Sequence, residues 1–90
     1  MNFEWDPAKA AANLRKHKVS FEDATTVLYD PFAVTAFDPD HSEFEDRFVT
    51  IGCTRQGKLI VISHTDRGNL TRIISARRAT RKEKKKYEEG

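Results

Sequence analysis

The chain has 90 residues, of which 38% are hydrophobic and 33% are charged, and its formal net charge at pH 7 is +2. A chain of this length forms one domain with a modest core, so we expect a single domain over residues 1–90. The single cysteine, Cys53, excludes an internal disulfide and a cysteine-based metal cluster, and it fits a reducing cytoplasm. The sequence shows no secretory signal, and its longest apolar run, Leu59 to Ile62, is too short to span a bilayer. We therefore expect a cytoplasmic protein.

The first part of the chain predicts a short strand and a helix. Phe3 and Trp5 alternate with polar neighbours, which is typical of a strand. Asp6–Pro7 then forms a helix cap followed by proline at the first helical position, and helix formers continue to Lys16. Lys18 stands just past this helix, where glycine is favoured, so we expect it to adopt a left-handed backbone conformation.

A second helix follows almost at once, which predicts a pair of adjacent antiparallel helices. Ser20 and Asp23 have a spacing close to that of a capping box, and Asp30–Pro31 ends the helix. Apolar residues recur at helical spacing between these points, at Phe21, Ala24, Val27 and Leu28. Each helix has only one apolar stripe to bury, so we expect both helices on one face of a sheet.

The remainder predicts an antiparallel meander and a terminal helix. Strand patterns cover residues 33–37, 47–53, 58–65 and 70–76, with turn residues at 54–57 and 66–69 and an acidic, turn-rich loop at 38–42. Thr80 and Glu83 form a capping box for a helix that continues to Glu89. The predicted fold class is α+β, in the order β-α-α-β-β-β-β-α, with the sheet packed by the helix pair.

Strand register predicts which side chains share a face of the sheet. Loops of even length, centred near Gln56 and near Arg67–Gly68, place Arg47 opposite His64 or Asp66. The face expected under the helices then carries Val49, Ile51, Ile60, Ile62, Thr71, Ile73, Ser75 and Arg77. The other face carries Phe48, Thr50, Leu59, Val61, Ser63, Leu70, Arg72 and Ile74, and is either an RNA-facing surface or a partner contact.

Charge is unevenly distributed along the chain. Half of the sixteen Lys and Arg residues lie at or after Arg72, whereas the segment from Asp38 to Asp46 is acidic. A basic end on a chain of small net charge suggests an anionic partner such as RNA, DNA or an acidic protein. The alternative is that the basic run is simply the solvated face of a helix.

Four segments together resemble the BrnT family of bacterial type II toxins from end to end. They are Phe3–Ala24, Asp38–Gly52, Leu59–Gly68 and Arg72–Glu88. The resemblance implies a RelE-like fold, ribonuclease activity that halts translation, and neutralisation by a BrnA-type antitoxin. It also implies contact with DNA only through the antitoxin, and it allows a dimer within the toxin–antitoxin complex. The chain departs from the family at Lys18, where glycine is usual, which affects the end of the first helix rather than the fold.

Metal-independent RNA cleavage needs a base for the 2′-hydroxyl, cations for the phosphorus centre, and an acid for the departing 5′-oxygen. The register predicts that Glu45, Arg47 and His64 converge at one end of the sheet, with Arg67 and Arg77 adding positive charge. Glu45 or His64 would then be the base. The predicted RNA-binding residues are Arg72, Arg78, Arg81 and Tyr87, and Tyr87 would stack on a base.

Each of these assignments has a structural alternative. His64 at a strand end is as readily a hydrogen-bonded structural residue, and Glu45 with Arg47 is an ordinary ion pair in many proteins. Tyr87 fits packing at least as well as stacking, and His17 and His41 are weaker candidates for catalysis. We expect no cofactor and no metal site, the alternative being magnesium at the acidic segment. The alternative function is a non-enzymatic basic module that binds nucleic acid or a protein.

Overall fold

A computed structural model describes all 90 residues and confirms the predicted α+β class and the predicted order of elements. The elements are β1 (Asn2–Glu4), α1 (Pro7–His17), α2 (Phe21–Thr25), β2 (Val34–Phe37), β3 (Arg47–Cys53), β4 (Leu59–Arg67), β5 (Leu70–Arg78) and α3 (Arg81–Glu89). Short 3₁₀ turns cover Thr26–Tyr29 and Pro39–His41. None of the helices combines the length and the apolar character needed to cross a membrane.

The five strands form one sheet in the order β1-β5-β4-β3-β2. The predicted meander from β2 to β5 is antiparallel throughout, and β1 adds a parallel strand beside β5. The edges of the sheet are therefore β1 and β2. The two hairpins around β4 place it at the centre, where most of its residues are buried.

The ends of the first two helices follow from local chemistry. The Asp6 carboxylate accepts a hydrogen bond from the Ala8 N–H at 2.8 Å, which satisfies one free donor in the first turn of α1. Lys18 ends the helix with φ at 60°, as predicted, and its N–H donates to the Leu14 carbonyl. Ser20 then caps α2 by accepting from the Asp23 N–H. The chain therefore turns sharply between the two helices.

The core lies between the two N-terminal helices and one face of the sheet. It consists of Val19, Phe21, Ala24, Val27, Ile60, Ile62, Ile73 and Ala76. Asn13 is the buried polar residue that joins α1 to the sheet, because its amide donates to the carbonyls of Val19 and Ala76 and accepts from the Ala76 N–H. Its hydrogen-bonding groups are thus satisfied inside the protein, as burial requires.

The predicted strand register is wrong in the β3–β4 hairpin, because its loop has an odd number of residues. The Thr54 N–H donates to the Lys58 carbonyl at 2.8 Å and closes a three-residue loop in which Gly57 is left-handed, with φ at 85°. Arg47 consequently lies opposite Thr65 rather than His64 or Asp66. One extra residue is enough to exchange the two faces of β3.

A bulge changes the faces of β5 as well. Ser63 lies opposite Ser75, whereas His64 lies opposite Ile73, so Ile74 is left over in β5. Val49, Ile51, Ser75 and Arg77 therefore lie on the face away from α1 and α2, contrary to prediction, and Phe48 and Thr50 move to the helix-covered face. Ile60, Ile62 and Ile73 lie under the helices as predicted. We call the face away from α1 and α2 the distal face.

Candidate functional site

The loop between β2 and β3 is tied down at both ends by hydrogen bonds. The Asp38 N–H donates to the Arg47 carbonyl at 2.8 Å. The Ser42 hydroxyl donates to the Asp38 carbonyl and accepts from the Arg47 N–H, the latter at 2.9 Å. The loop is therefore a closed turn that holds its side chains over the start of β3.

His41 projects from this loop and is oriented by a carboxylate. Its Nδ1 atom lies 2.8 Å from Oδ2 of Asp38, and its side chain is 65% exposed. When Nδ1 carries the hydrogen of this bond, Nε2 is free to accept a proton from a ligand. This pairing gives an accessible imidazole of defined orientation.

Glu45, Arg47 and Arg67 converge at the same end of the sheet, as predicted. Glu45 Oε2 lies 3.1 Å from Arg67 and Oε1 lies 3.7 Å from Arg47 Nε. The Arg47 Nε atom is buried and has no hydrogen-bond acceptor, because the approach of Glu45 is too long for a hydrogen bond. The Arg47 guanidinium is therefore incompletely paired within the protein.

Two clefts meet at His41 and Arg47. The first has a volume of about 290 Å³ and is lined by Asp38, His41, Arg47, Ser63, Ile74 and Ser75. The second has a volume of about 440 Å³ and is lined by Asp40, His41, Glu43, Phe44, Glu45, Arg47 and Arg67. His41 and Arg47 line both clefts, and we call these two residues together with Asp38, Glu45 and Arg67, which each line one cleft, the rim cluster.

The prediction that His64 joins Arg47 is wrong. His64 lies opposite Phe48 on the helix-covered face, is 7% exposed, and stacks on the Phe48 ring. Its Nε2 atom lies 2.7 Å from the Thr50 hydroxyl, while Nδ1 has no partner. Burial lowers the pKa of His64, and the nearby Asp66 opposes that shift only in part. The odd loop of the β3–β4 hairpin turns Arg47 to the distal face and so separates it from His64, which stays under the helices with Ile60 and Ile62.

Arg77 lies on the distal face but is not part of the rim cluster. It pairs with Val61, four residues along β4 from the residue that faces Arg47. Its guanidinium donates two hydrogen bonds to Glu83, at 2.7 and 2.9 Å, and these bonds lower the pKa of Glu83 to about 2. The predicted approach of Arg77 to Arg47 is therefore wrong, because Arg77 instead clamps the start of α3.

The predicted RNA-binding residues are spread over the molecule. Arg72 lies on the distal face, opposite the same Thr65 that faces Arg47, and its guanidinium is 3.7 Å from Glu4. Arg78 and Arg81 are exposed at the end of β5 and the start of α3. Of these four residues, only Arg72 shares a row of the sheet with the rim cluster.

Tyr87 anchors α3 through its hydroxyl group. The hydroxyl donates to Asp30 Oδ2 at 2.6 Å, and this bond raises the pKa of Tyr87. Burial raises the pKa of Asp30, but the hydrogen bonds that Asp30 accepts from the Cys53 N–H, the Tyr87 hydroxyl and the Phe32 N–H lower it by more. The net shift of the Asp30 pKa is therefore downward. The observed contacts agree with a packing role for Tyr87.

From the sequence alone His41 is a weak candidate for catalysis, because it lies in a loop. A signal was present in the spacing of Asp38 and His41 around Pro39, since a 3₁₀ turn brings residues three apart onto one side. Ser63 was placed near Arg72 on the correct face, but Ser75 was not. No group of three His, Cys, Asp or Glu side chains is arranged to hold a metal ion.

Comparison with known proteins identifies a protein family and a similar solved structure. A family model described as the ribonuclease toxin BrnT of type II toxin-antitoxin systems matches residues 5–83. Among solved structures, the 1.1 Å crystal structure of the Brucella abortus ribonuclease toxin BrnT is similar, with a TM-score of 0.66 and 24% sequence identity. The similarity covers 90% of this chain and 99% of the Brucella chain, and at this identity it supports the fold alone. The search of curated protein sequences gives no match.

Proposed function

The chain belongs to the BrnT family of ribonuclease toxins from type II toxin-antitoxin systems. We propose that it is an endoribonuclease whose active site is the rim cluster. The observation that carries the proposal is the meeting of a carboxylate-oriented imidazole, a carboxylate and two arginines between two clefts. The proposed consequence is inhibition of translation through loss of RNA.

The rim cluster contains the three kinds of group that RNA cleavage requires. Glu45 takes the proton of the 2′-hydroxyl, whose oxygen then attacks the neighbouring phosphorus. Arg47 and Arg67, which both line the 440 Å³ cleft, stabilise the charge that builds on the phosphate oxygens. His41, protonated on both ring nitrogens and oriented by Asp38 through Nδ1, donates its Nε2 proton to the departing 5′-oxygen and is left as the neutral imidazole. The products are a 2′,3′-cyclic phosphate and a 5′-hydroxyl.

We further propose that cleavage needs no divalent metal, because side chains of the rim cluster supply base, acid and positive charge. The acidic segment offers magnesium as the alternative. Cleavage of naked RNA by the purified chain should therefore continue in EDTA. Loss of cleavage in EDTA and its return with magnesium would move the proposed site to the carboxylates of residues 38–46.

The family membership implies an antitoxin partner. We propose that this partner is a BrnA-type protein that holds the ribonuclease silent in the cytoplasm, that the complex contacts DNA through the antitoxin, and that two toxin chains belong to one complex. The acidic loop and the basic α3 offer charged surfaces for such contacts. Co-expression followed by size-exclusion chromatography tests the complex, and RNA cleavage by the purified complex should be suppressed.

The direct test is expression of the chain alone and of two arginine variants. The unmodified chain should arrest bacterial growth and degrade RNA. Arg47→Ala should lower the specific cleavage rate about a hundredfold, the effect of removing one placed charge stabiliser. Arg15→Ala, which removes an exposed arginine of α1, is the matched control and should leave the rate unchanged. RNA binding without cleavage by the unmodified chain would indicate the alternative of a non-enzymatic binding module.

A further inference from the structure

Phe44 is exposed at the mouth of the larger cleft in a manner unusual for a phenylalanine. It is 94% exposed, whereas Phe37 and Phe48 of the neighbouring strands pack against each other edge to face. Phe44 pairs with no other aromatic ring of the chain. The loop that presents it is closed by hydrogen bonds at residues 38, 42 and 47, on both sides of Phe44.

Phe44 lines the 440 Å³ cleft together with Arg47 and Arg67. Single-stranded RNA is recognised largely through bases that unstack and lie on aromatic rings, while arginines hold the adjacent phosphates. A phosphate bound by the arginines places its attached nucleotide within the same cleft. The arrangement therefore offers one ring and two cations to a single nucleotide.

The carboxylates of the cleft favour one base over the others. Asp40 and Glu43 line it as well, and neither forms an ion pair. They repel phosphate, so they are suited to the edge of a base. Two carboxylate oxygens match two adjacent donors, which guanine offers at N1 and N2, whereas adenine and cytosine offer an amino group beside an acceptor.

We infer that Phe44 is a stacking platform for a guanine base of the RNA substrate, selected by hydrogen bonds from that base to Asp40 or Glu43. The inference rests on the proposed function, since it names the base next to the phosphate held by the rim cluster. It assigns Phe44 to substrate binding and not to the chemical step.

Binding of RNA that cannot be cleaved tests the inference separately from catalysis. The probes are fluorescein-labelled 2′-O-methyl decanucleotides of uridine, with and without one central guanine, followed by fluorescence anisotropy at fixed salt because affinity depends on ionic strength. The blocked 2′-hydroxyl removes the nucleophile, so failure of the proposed cleavage appears only in a parallel assay with ordinary RNA. The guanine probe should bind the unmodified chain more tightly than the uridine probe.

Variants decide which side chains are responsible. Phe44→Ala should weaken binding of the guanine probe about tenfold, and Phe44→Trp should retain it. Phe32→Ala is the matched control, since Phe32 is likewise an exposed phenylalanine, at 75%, but does not line the cleft. The double variant with Asp40→Asn and Glu43→Gln should bind both probes equally.

Three results would overturn the inference. The first is unchanged affinity of Phe44→Ala for the guanine probe while its circular dichroism spectrum and Tm match the unmodified chain. The second is equal affinity of the unmodified chain for both probes, which would remove the guanine assignment. The third is normal RNA binding by Phe44→Ala together with a weakened antitoxin complex, which would make Phe44 a protein contact.

Discussion

His41 and His64 lie on opposite sides of the same sheet and have opposite surroundings. His64 is packed under the helices against Phe48, with one ring nitrogen bonded to Thr50 and the other without a partner. His41 is exposed, is paired with Asp38, and lies between two clefts beside Arg47. The same residue type is structural on one face and available for chemistry on the other.

The two faces differ in the same way beyond the histidines. The helix-covered face holds the apolar core, and the Asn13 amide buried there is satisfied by bonds within the protein. On the distal face, by contrast, Glu45, Arg47 and Arg67 lie close together at one end of the sheet, and Arg47 Nε lacks an acceptor. Substitutions on the first face should therefore change stability, and substitutions in the rim cluster should change activity.

Phe21→Ala is expected to have the largest effect on stability. Phe21 is fully buried in the core, and truncation of such a residue costs about 3–5 kcal/mol of unfolding free energy. Thermal unfolding should show a fall in Tm of more than 10 °C, on the scale of about 4–8 °C per kcal/mol for a domain of this size. Phe32→Ala, at an exposed position, should change Tm by no more than a few degrees. A stable Phe21→Ala variant would mean that the core is placed wrongly.

The two histidines should respond oppositely to replacement by alanine. His41→Ala should lower the specific cleavage rate at least a hundredfold, the usual contribution of a positioned acid or base, without change in Tm. His64→Ala should lower stability by about 1–3 kcal/mol through lost packing and the lost hydrogen bond to Thr50, whose hydroxyl keeps its bond to Thr35, while activity per folded molecule stays normal. Loss of activity in His64→Ala and loss of stability in His41→Ala would contradict the roles assigned to the two histidines.

The burial of His64 predicts a dependence of stability on pH. Its pKa in the folded protein is below the ordinary value of 6.5, chiefly because burial disfavours the charged ring. The unfolded chain therefore binds the proton first, so stability is full above pH 6.5 and falls as the pH drops below it. Urea unfolding at pH 7.5, 6.5 and 5.5 measures this slope. His64→Gln should have a smaller slope than the unmodified chain, and identical slopes would contradict the prediction.

Tyr87→Phe should give the smallest effect. It removes the hydrogen bond from the hydroxyl to Asp30, while the N–H groups of Phe32 and Cys53 still satisfy that carboxylate. A loss of about 1 kcal/mol is expected. Hydrogen exchange should be faster in α3 and unchanged in β4. An equal increase in both elements would show that α3 is not an independent unit.

Local patterns were sufficient for the elements but not for their exact ends. Asp6, Ser20 and Thr80 cap the three predicted helices through their own side chains. β4 starts one residue later and ends two residues later than predicted, because the turn between β4 and β5 is only Gly68 and Asn69. β5 begins where predicted but continues two residues further, to Arg78, because it stays paired with β4 as far as Ile60. Turn-forming residues in the sequence predict where the chain reverses direction. How many of them remain unpaired in the loop depends on how the two strands pair with each other.

The candidate site was predicted only where its members are close in sequence. Glu45 and Arg47 are two residues apart on one strand or its extension, and Arg67 follows the next strand, so their convergence needs no exact register. The predicted pairing of Arg47 with His64 did depend on the exact strand register, and this prediction was wrong. His41 needed a loop conformation, which short-range propensity specifies weakly.

The sequence alone determined the α+β class, the order of the elements, the helix caps and the apolar strands, because each depends on residues within a few positions of one another. The tertiary structure decided which face each side chain occupies. A strand alternates with a period of two residues, so its pattern is the same for either choice of face. The odd loop that contains the left-handed Gly57 placed Arg47 on the distal face near His41, whereas His64 stayed under the helices with Ile60 and Ile62. The extra Ile74 in β5 placed Ser75 and Arg77 on the distal face.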